Sequence, residues 1–355
     1  MEMLAPYTTL GLGGPARRFV EAATAEQLVS EVAEADRTGE PVLVLGGGSN
    51  VVVADDGFDG LVVKVASEGL SVSRDGEQVV VTVEAGESWE PLVARAVAEG
   101  WAGVECLSGV PGLVGATPIQ NVGAYGQEVS QTIRCVRAYD RRTRHVVDLE
   151  ARQCGFSYRD SAFKRDLGRH VVLAVTYALD VSGLSAPIAY KELAGRLGVE
   201  PGERVPLADA REAVLELRRS KGMVIDPADP DTRSAGSFFT NPVLSREEAE
   251  ELETRAPGHP RWDLPDGSVK IPAAWLIEQA GFAKGYSRGP ARISTKHTLA
   301  LTNPEGEATA ADLLALAGEV RDGVREKFGV TLVNEPVLVG CELDPGQPPV
   351  AGAPE

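Results

Sequence analysis

The chain has 355 residues, of which 43% are hydrophobic and 25% charged, and its formal net charge is −17. This composition excludes a disordered chain, and the length predicts two or three domains. The negative charge argues against nucleic acid or an anionic membrane as a partner. No apolar run approaches the length of a membrane span, and the N-terminus lacks a signal-peptide pattern, so we expect a cytoplasmic protein without membrane contact.

The four cysteines include no C-x-x-C pair, and the four histidines have no metal-ligand spacing. We therefore expect neither a disulfide framework nor a metal site. This cysteine usage fits a reducing cytoplasm.

The first segment has the pattern of a small α/β unit. Thr24 with Gln27 predicts a capped helix that ends near Gly39. The apolar run 41–45 predicts a strand, which leads directly into residues 46–50, G-G-G-S-N. Three glycines after a strand form either a backbone cradle for an anion or a flexible turn, and both interpretations are open here.

The next segment begins with a hairpin, in which Asp75-Gly76 predicts the turn between two alternating strands. A helix is predicted over 89–99, with Gly100 as its stop. Further strands are predicted over 133–139, 145–149 and 171–179.

A second glycine-rich run, Ser108–Gln127, lies between that helix and those strands. It reads S-G-V-P-G-L-V-G-A-T-P-I-Q-N-V-G-A-Y-G-Q, with five glycines, two prolines and no charged side chain. Successive backbone N–H groups in such a run can bind an anion without Lys or Arg, and a tight-turn loop is the alternative. The glycine density, with Gln120, Asn121 and Tyr125 in between, favours a phosphate-bearing cofactor. The spacing differs from the dinucleotide fingerprint G-x-G-x-x-G.

An insertion near 183–221 contains a helix for which Asp209 and Glu212 predict the N-terminal cap. This helix ends in a cluster of cations that includes Lys221. Cations there either complement the helix dipole or bind a diphosphate, and the local sequence favours the dipole.

The third segment follows an Asp- and Pro-rich loop and opens with residues 234–242, S-A-G-S-F-F-T-N-P. Ser237 is not in G-x-S-x-G and has no neighbouring His, so a triad hydrolase is unsupported. The Ser237 hydroxyl is either a turn hydroxyl or a proton donor shielded by two phenylalanines.

Helices beginning after Ser245, at Pro272 and after Thr309 complete this segment. A strand from Val330 then leads to Glu335, which the local sequence alone assigns to the surface. The Pro/Gly-rich tail from Asp344 predicts a disordered end.

Five blocks in one order resemble the UDP-N-acetylenolpyruvoylglucosamine reductase (MurB) family. They are L-G-G-G-S-N from Leu45, the glycine run 108–127, Y-R-D-S-x-F-K from Tyr158, residues 234–242, and N-E-P from Asn334. Each block alone is weak evidence for the family, whereas five blocks in the family's order across nearly the whole chain are specific to it. The insertion with Tyr190 and Lys221 resembles the longer, type I branch.

The resemblance implies an α/β multidomain fold: a PCMH-type FAD-binding fold of two domains plus a third, α/β substrate-binding domain. The expected boundaries are 1–68 with 337–355, 69–221, and 222–336. It implies non-covalently bound FAD between the first two domains, NADPH as reductant, and a UDP-sugar substrate. The implied activity is UDP-N-acetylmuramate dehydrogenase in peptidoglycan synthesis, and we expect a monomer.

The resemblance also implies roles for individual residues. Arg159, Ser237 and Glu335 match the catalytic positions, and Tyr158, Tyr190, Lys221 and Asn241 are expected to bind substrate. The expected FAD contacts lie in the two glycine-rich runs and are Gly46, Gly47, Gly48, Ser49, Asn50, Ser108, Gly109, Pro111, Gly112, Gly115, Ala116, Gln120, Asn121, Gly123, Ala124 and Tyr125. These roles replace the local interpretations of Lys221 and Glu335.

Two alternatives stay open at this stage. The first is another FAD-dependent oxidoreductase on the same scaffold, such as a sugar or hydroxy-acid oxidase. Such enzymes often tether flavin through a His or Cys, and neither glycine-rich run contains one, although Cys106 lies just outside the second. The second alternative is a non-catalytic nucleotide-binding protein, which would have no reason to combine Arg159, Ser237 and Glu335.

Overall fold

A computed structural model describes residues 1–343, so the tail from Asp344 lies outside the described residues. In chain order the strands are β1 (Glu2–Met3), β2 (Pro15–Ala22), β3 (Val42–Leu45), β4 (Val51–Val53), β5 (Phe58–Val65), β6 (Leu70–Asp75), β7 (Gln78–Glu84), β8 (Trp101–Ala102), β9 (Gly123–Ala124), β10 (Gln127–Glu128), β11 (Ile133–Asp140), β12 (His145–Glu150), β13 (His170–Val181), β14 (Ser234–Ser237), β15 (Val243–Leu244), β16 (Trp262–Asp263), β17 (Val269–Lys270), β18 (Ser287–Arg288), β19 (Ala291–Ile293), β20 (Ala300–Thr302) and β21 (Val337–Val339).

The α-helices are α1 (Ala25–Thr38), α2 (Trp89–Ala98), α3 (Ala162–Arg165), α4 (Lys191–Leu197), α5 (Leu207–Ser220), α6 (Arg246–Arg255), α7 (Ala273–Gln279) and α8 (Ala310–Phe328). Short 3-10 turns span Ala5–Tyr7, Glu105–Leu107, Val114–Ala116, Val129–Gln131, Ala151–Gln153 and Pro230–Thr232. Among residues 1–343, no helix is both long enough and apolar enough to cross a bilayer.

The chain divides into two compact units. Unit 1 comprises Met1–Glu2, Ala16–Ser49 and Phe58–Asp226, and unit 2 comprises Met3–Pro15, Asn50–Gly57 and the chain from Pro227. The finer division into three domains is not tested by these two units and stays a prediction.

Unit 1 contains a parallel sheet whose neighbouring strands are β2, β5 and β3. Helix α1 packs on it with Leu28 and Val32 fully buried. The predicted cap is confirmed, because the Thr24 hydroxyl accepts a hydrogen bond from the backbone N–H of Gln27 at 3.1 Å. Gly39 ends the helix with φ of +73°, a left-handed conformation that glycine adopts without steric penalty.

Unit 1 also contains an antiparallel sheet in the order β12-β11-β13-β7-β6, with β8 paired to β13. The hairpin of β6 and β7 is confirmed, but its turn lies one residue later than predicted. Asp75 pairs with Gln78, so the loop residues are Gly76 and Glu77, and Gly76 takes φ of +63°. The buried faces of both sheets and of α1 and α2 form one hydrophobic core.

The insertion of unit 1 contains α4 and α5 over a smaller apolar cluster that includes Ile188, Leu193 and Val214. The predicted capping by Asp209 is wrong, because the N-cap of α5 is Pro206, three residues earlier, and makes no side-chain cap. Burial of Leu207 in the first turn extends the helix, and Asp209 instead lies in that turn, where a carboxylate complements the helix dipole.

Unit 2 has an antiparallel sheet in the order β14-β20-β19-β18, on which α8 packs. The predicted start of α8 is confirmed, and reciprocal hydrogen bonds between Thr309 and Asp312 cap the helix there. A small sheet in the order β15-β17-β16 and the parallel pair β4–β21 complete the strands described for this unit. The strand predicted from Val330 is wrong. The chain there makes only an isolated bridge between Asn334 and Phe239 before β21 begins at Val337.

Candidate functional site

The first glycine loop, residues 46–49, begins where β3 ends. Strand β3 runs parallel to β5, and α/β sheets bind ligands beyond the carboxyl ends of their parallel strands. Gly48 has φ of +62°. A left-handed residue among right-handed or extended neighbours turns successive N–H groups toward one side, which is the geometry of a backbone anion site.

This first loop packs directly on the second glycine run, residues 108–127. A Cβ at Gly47 would lie 2.8 Å from the Cα of Gly112, so only two glycines allow the backbones to approach this closely. The Ser49 hydroxyl donates to the carbonyl of Pro111 at 3.3 Å. Four of the residues predicted to contact FAD, Gly47, Ser49, Pro111 and Gly112, thus hold the two loops of unit 1 together.

Part of the glycine density in the second run has a packing explanation. A Cβ at Gly115 would lie 2.5 Å from the Cβ of Ala85. A Cβ at Gly123 would meet Glu128 and a guanidinium nitrogen of Arg159 at 2.8 and 2.9 Å. These glycines let the run lie against the sheet and against Arg159. In contrast, Gly112 has φ of +114° and is needed for conformation as well.

The polar side chains of the second run are engaged with the protein itself. Asn121 is buried, and its Nδ2 donates to Glu128 at 2.8 Å and to the carbonyl of Ser157 at 3.0 Å, while its Oδ1 accepts from the N–H of Ser130 at 3.1 Å. The buried Ser108 hydroxyl donates to the carbonyl of Glu105 at 2.7 Å. These contacts shape the loop, and direct binding of FAD by either side chain stays a prediction.

Arg159 lies against the same run. Its Nη2 donates to the carbonyl of Gly123 at 2.7 Å, and its own carbonyl accepts from Lys164 Nζ at 2.9 Å. The guanidinium carbon lies 5.6 Å from the ring centroid of Tyr158, within range of a cation–π contact. Arg159 has φ of +55°, which is uncommon outside glycine, Asn and Asp and is often found at functional sites.

Tyr125, Tyr190 and Lys221 come together in unit 1 although they are far apart in sequence. The two tyrosine rings are perpendicular with centroids 5.5 Å apart, and Lys221 Nζ lies 5.6 Å from the ring centroid of Tyr125. We call these three residues the tyrosine–lysine cluster. Two of its members were predicted to bind the substrate, and the third was predicted to bind FAD.

Two further charged residues, which were not predicted as site residues, border this cluster. Glu192 Oε2 lies 2.6 Å from Lys221 Nζ. Arg218 donates through Nη2 to the carbonyl of Met223 at 2.7 Å, beside the end of α5. Burial, assisted by the nearby Glu192 carboxylate, raises the pKa of Tyr125 to about 12, and the Arg218 guanidinium opposes that rise. Tyr125 is therefore a neutral hydrogen-bonding group at physiological pH.

Glu90 joins the second glycine run to helix α5. It lies in the first turn of α2, where one carboxylate oxygen accepts from the N–H of Gly109 at 2.5 Å and the other accepts from Arg211. The start of the glycine run is thus connected to the helix that carries Lys221 at its C-terminus. Sequence reasoning missed Glu90, because nothing local distinguishes it from an exposed helix carboxylate.

In unit 2, Ser237 and Glu335 lie in neighbouring segments. Ser237 ends β14 opposite Ala300, and the irregular pairing between Ser234 and Ser237 includes Gly236 with φ of +72°. The backbone N–H of Glu335 donates to the carbonyl of Phe238 at 2.8 Å. This hydrogen bond places Glu335 beside the residue that follows Ser237, so two of the three predicted catalytic residues share one region.

Two other predicted residues of unit 2 have structural contacts. The Asn241 Oδ1 accepts from the N–H of Ala273 at 2.9 Å, at the first residue of α7. Asn50 Nδ2 donates to the carbonyl of Glu335 at 3.4 Å. Both side chains therefore order segments next to Ser237 or Glu335, and their contacts with substrate or cofactor stay predictions.

The glycine loops of unit 1 fit the diphosphate of a dinucleotide such as FAD. Their candidate donors are backbone N–H groups other than that of Gly109, which donates to Glu90, and four glycines with positive φ, Gly48, Gly109, Gly112 and Gly126, shape the two loops. Such neutral donors bind a diphosphate without any charged side chain in the loop. The net charge of −17 makes the overall field of the chain repulsive to an anion, and these local donors offset that repulsion.

Comparisons with known proteins assign the chain to a family. A family model described as FAD binding domain matches residues 16–147, and one described as UDP-N-acetylenolpyruvoylglucosamine reductase, C-terminal domain, matches residues 227–339. The UDP-N-acetylenolpyruvoylglucosamine reductase of Thermobifida fusca is 60% identical over 352 residues, which cover 96% of this chain and 97% of the relative. The chain belongs to the UDP-N-acetylenolpyruvoylglucosamine reductase family.

Another relative and a solved structure agree with this assignment. The reductase of Streptomyces avermitilis is 57% identical and covers 96% of this chain and 94% of its own. The crystal structure of the reductase (MurB) from Thermus caldophilus matches with a TM-score of 0.62 at 25% identity, covering 95% of this chain and 97% of that one.

The resemblance stated from five sequence blocks is therefore confirmed. So are the fold class, a PCMH-type FAD-binding fold followed by an α/β domain of this family, and the prediction of an FAD-dependent oxidoreductase. The alternative of a different flavoenzyme on the same scaffold is not favoured. The roles of individual residues are not tested by these comparisons and stay predictions.

Proposed function

We propose that the protein catalyses the NADPH-dependent, FAD-mediated reduction of the enolpyruvyl ether of UDP-N-acetylglucosamine to UDP-N-acetylmuramate in peptidoglycan synthesis. The observation that carries this proposal is the 60% identity to a UDP-N-acetylenolpyruvoylglucosamine reductase over 96% of the chain. The five blocks that carry the family resemblance, including those with Arg159, Ser237 and Glu335, span nearly the whole of this chain.

The chain's own residues have distinct tasks in this reaction. Bound FAD would take hydride from NADPH and deliver it to the terminal vinyl carbon of the enolpyruvyl group. Hydride addition to an electron-rich enol ether leaves negative charge that spreads into the adjacent carboxylate, and that charge must be stabilised as it develops. We assign the Arg159 guanidinium to the carboxylate, because its planar pair of donors matches carboxylate geometry.

The proton that completes the reduction is assigned to Ser237. A serine hydroxyl is a weak acid in water, but it can protonate a carbanion-like carbon where water is excluded. Phe238 and Phe239, which follow it directly, are both 1% exposed and shield that side of the chain. Glu335, if protonated, donates a hydrogen bond to the same carboxylate as Arg159.

Two members of the tyrosine–lysine cluster, Lys221 and Tyr190, are assigned to the substrate diphosphate, while Tyr125 stays a predicted FAD contact. Lys221 supplies a positive charge, and Tyr190, which is 45% exposed, presents a neutral hydroxyl whose pKa partial burial raises further above its ordinary value. Asn241 and Tyr158 are assigned to the same substrate by the family resemblance. These groups would hold the UDP-sugar while its enolpyruvyl end reacts.

Two measurements on the purified protein test the proposed function. If the protein shows a flavin absorbance spectrum and the flavin is released into the supernatant on denaturation, the FAD is bound non-covalently. NADPH oxidation that requires the enolpyruvyl UDP-sugar, with UDP-N-acetylmuramate as product, supports the reaction. Flavin retained by the denatured chain, or NADPH oxidation that depends on oxygen and not on the UDP-sugar, would instead support an oxidase.

The nucleotide substrate and cofactor are consistent with a cytoplasmic enzyme, and we propose that location together with a monomeric state. In this role the enzyme supplies cell-wall precursor, so its loss would affect cell shape and division. Size-exclusion chromatography with light scattering tests the monomer directly.

A further inference from the structure

The lysine that we assign to the substrate diphosphate already has a carboxylate partner. Glu192 Oε2 lies 2.6 Å from Lys221 Nζ, and the two side chains are 41% and 28% exposed. Glu192 also acts electrostatically on both tyrosines of the cluster, Tyr125 and Tyr190. One acidic side chain therefore faces all three members of the tyrosine–lysine cluster.

The positions of these residues in the chain explain how this pairing arises. Glu192 lies in the first turn of α4, two residues after Tyr190, whose backbone begins that helix. Lys221 follows the last residue of α5 and takes part in its C-terminal turn. Contact between α4 and α5 brings the two side chains together, so the ion pair depends on the folded insertion.

We propose that Glu192 is the resident counter-ion of Lys221 and that the diphosphate of the UDP-sugar displaces it on binding. The inference rests on the proposed function and adds to it a residue that sets substrate affinity and selectivity. A diphosphate brings more charge and more acceptor oxygens than a carboxylate, so it can replace Glu192, whereas a singly charged anion gains little by the exchange. Glu192 thus makes the site select a diphosphate over singly charged anions.

The expected effect is modest because the ion pair is partly exposed. Exposed ion pairs contribute little free energy, so little is lost when the diphosphate displaces Glu192. Removing Glu192 should therefore tighten binding of the UDP-sugar to Lys221 by only about two- to fivefold. The effect should be largest at low ionic strength, because salt screens charges that contact solvent.

The experiment is calorimetric titration of the oxidised holoenzyme with the enolpyruvyl UDP-sugar, without NADPH so that no turnover occurs. Glu192→Gln should lower the Kd by about two- to fivefold, and Glu192→Ala should do the same without leaving an amide that can accept from Lys221. Glu216→Gln is the matched control, since Glu216 pairs with the exposed Arg196 on the same two helices and carries the same charge. Its Kd should equal that of the unchanged protein.

A double-mutant cycle distinguishes displacement from general repulsion. If Glu192 acts by occupying Lys221, then Glu192→Gln has no effect on the Kd in a Lys221→Ala background. An equal gain in both backgrounds would mean that Glu192 only repels the substrate at a distance, and would overturn the proposal. An unchanged or raised Kd for both Glu192 variants, with the melting temperature retained, would overturn it as well.

The failure of this inference is distinguishable from failure of the proposed function. If the unchanged protein binds no enolpyruvyl UDP-sugar and does not oxidise NADPH in its presence, the proposed function is wrong. If it does both and the Glu192 variants bind no more tightly, only the counter-ion role is wrong. Reduction of the flavin by NADPH in the absence of UDP-sugar gives a separate check that the variants hold a functional cofactor.

Discussion

The contact between the two glycine loops of unit 1 makes a sharp prediction for Gly47→Ala. The added Cβ would lie 2.8 Å from the Cα of Gly112 and 3.3 Å from its carbonyl carbon. These are backbone atoms that cannot rotate away, so the loops must separate. Overpacking of this kind costs about 1–3 kcal/mol.

The cost should appear in cofactor affinity as well as in stability. If FAD binds only when the two loops are in their observed contact, binding must restore that contact in Gly47→Ala. A cost of 1–3 kcal/mol for doing so corresponds to an FAD dissociation constant about 5- to 150-fold higher. The part of this free energy that does not appear as weaker FAD binding should lower the stability of the apoprotein, and for a unit of this size the melting temperature falls by ~2–4 °C for each kcal/mol.

The neighbouring glycine provides a matched control. A Cβ at Gly46 would find its nearest atoms, on Ala116 and Leu113, at 3.9 Å, which is ordinary van der Waals contact. Gly46→Ala should therefore leave the melting temperature of the apoprotein unchanged. Any loss of FAD affinity in that variant would then show that Gly46 faces the cofactor.

The assay is a thermal melt of the flavin-free protein, followed by titration with FAD monitored by quenching of flavin fluorescence. The reasoning is refuted if Gly47→Ala melts at the same temperature as the unchanged protein and binds FAD equally well. It is also refuted if Gly46→Ala destabilises the apoprotein as much as Gly47→Ala does.

Three further predictions concern single side chains. In stopped-flow absorbance, Ser237→Ala should still allow NADPH to reduce the flavin but block re-oxidation by the enolpyruvyl sugar; equal damage to both half-reactions would remove Ser237 from the proton-donor role. Lys221→Ala should raise the Kd of the UDP-sugar about 10- to 100-fold, as expected for loss of a charged hydrogen bond, with FAD affinity retained; an unchanged Kd would contradict its diphosphate role. The Arg169 guanidinium, which donates to Asp140 at 2.8 Å, holds the pKa of the Asp140 carboxyl at about 2, below its ordinary value of 3.8. Because the pKa is lower in the folded protein, the Asp140 carboxylate stabilises the fold above its pKa in the unfolded chain, and this stability is lost as the pH falls through its pKa in the folded protein. Urea unfolding should therefore show Asp140→Asn less stable than the unchanged protein by about 1–2 kcal/mol at pH 6, and the difference should shrink between about pH 4 and 2. A difference that stays constant with pH would contradict the linkage.

Local sequence was sufficient where a structure depends on neighbouring residues. The caps of α1 and α8 are predictable because Thr24 and Thr309 each bond an N–H three residues away. The start of α5 was mispredicted at Asp209, since the helix begins at Leu207, whose side chain is buried by tertiary packing that a capping pattern does not encode. The strand expected from Val330 did not form, because within residues 1–343 its β-branched residues have no neighbouring strand to pair with, and the isolated bridge in this segment is made by Asn334 instead.

For the candidate site, the sequence determined the residue types and, through five blocks in a constant order, the family. It could not determine that Gly115 and Gly123 serve packing against Ala85 and Arg159, because those contacts join distant segments.

Nor could it reveal that Glu192 pairs with Lys221, 29 positions further along the chain. Side chains so far apart meet only after α4 and α5 have packed, and no local pattern encodes that contact. The sequence thus determines which chemical groups are available, whereas tertiary packing determines which residues each group contacts and which charges lie beside it.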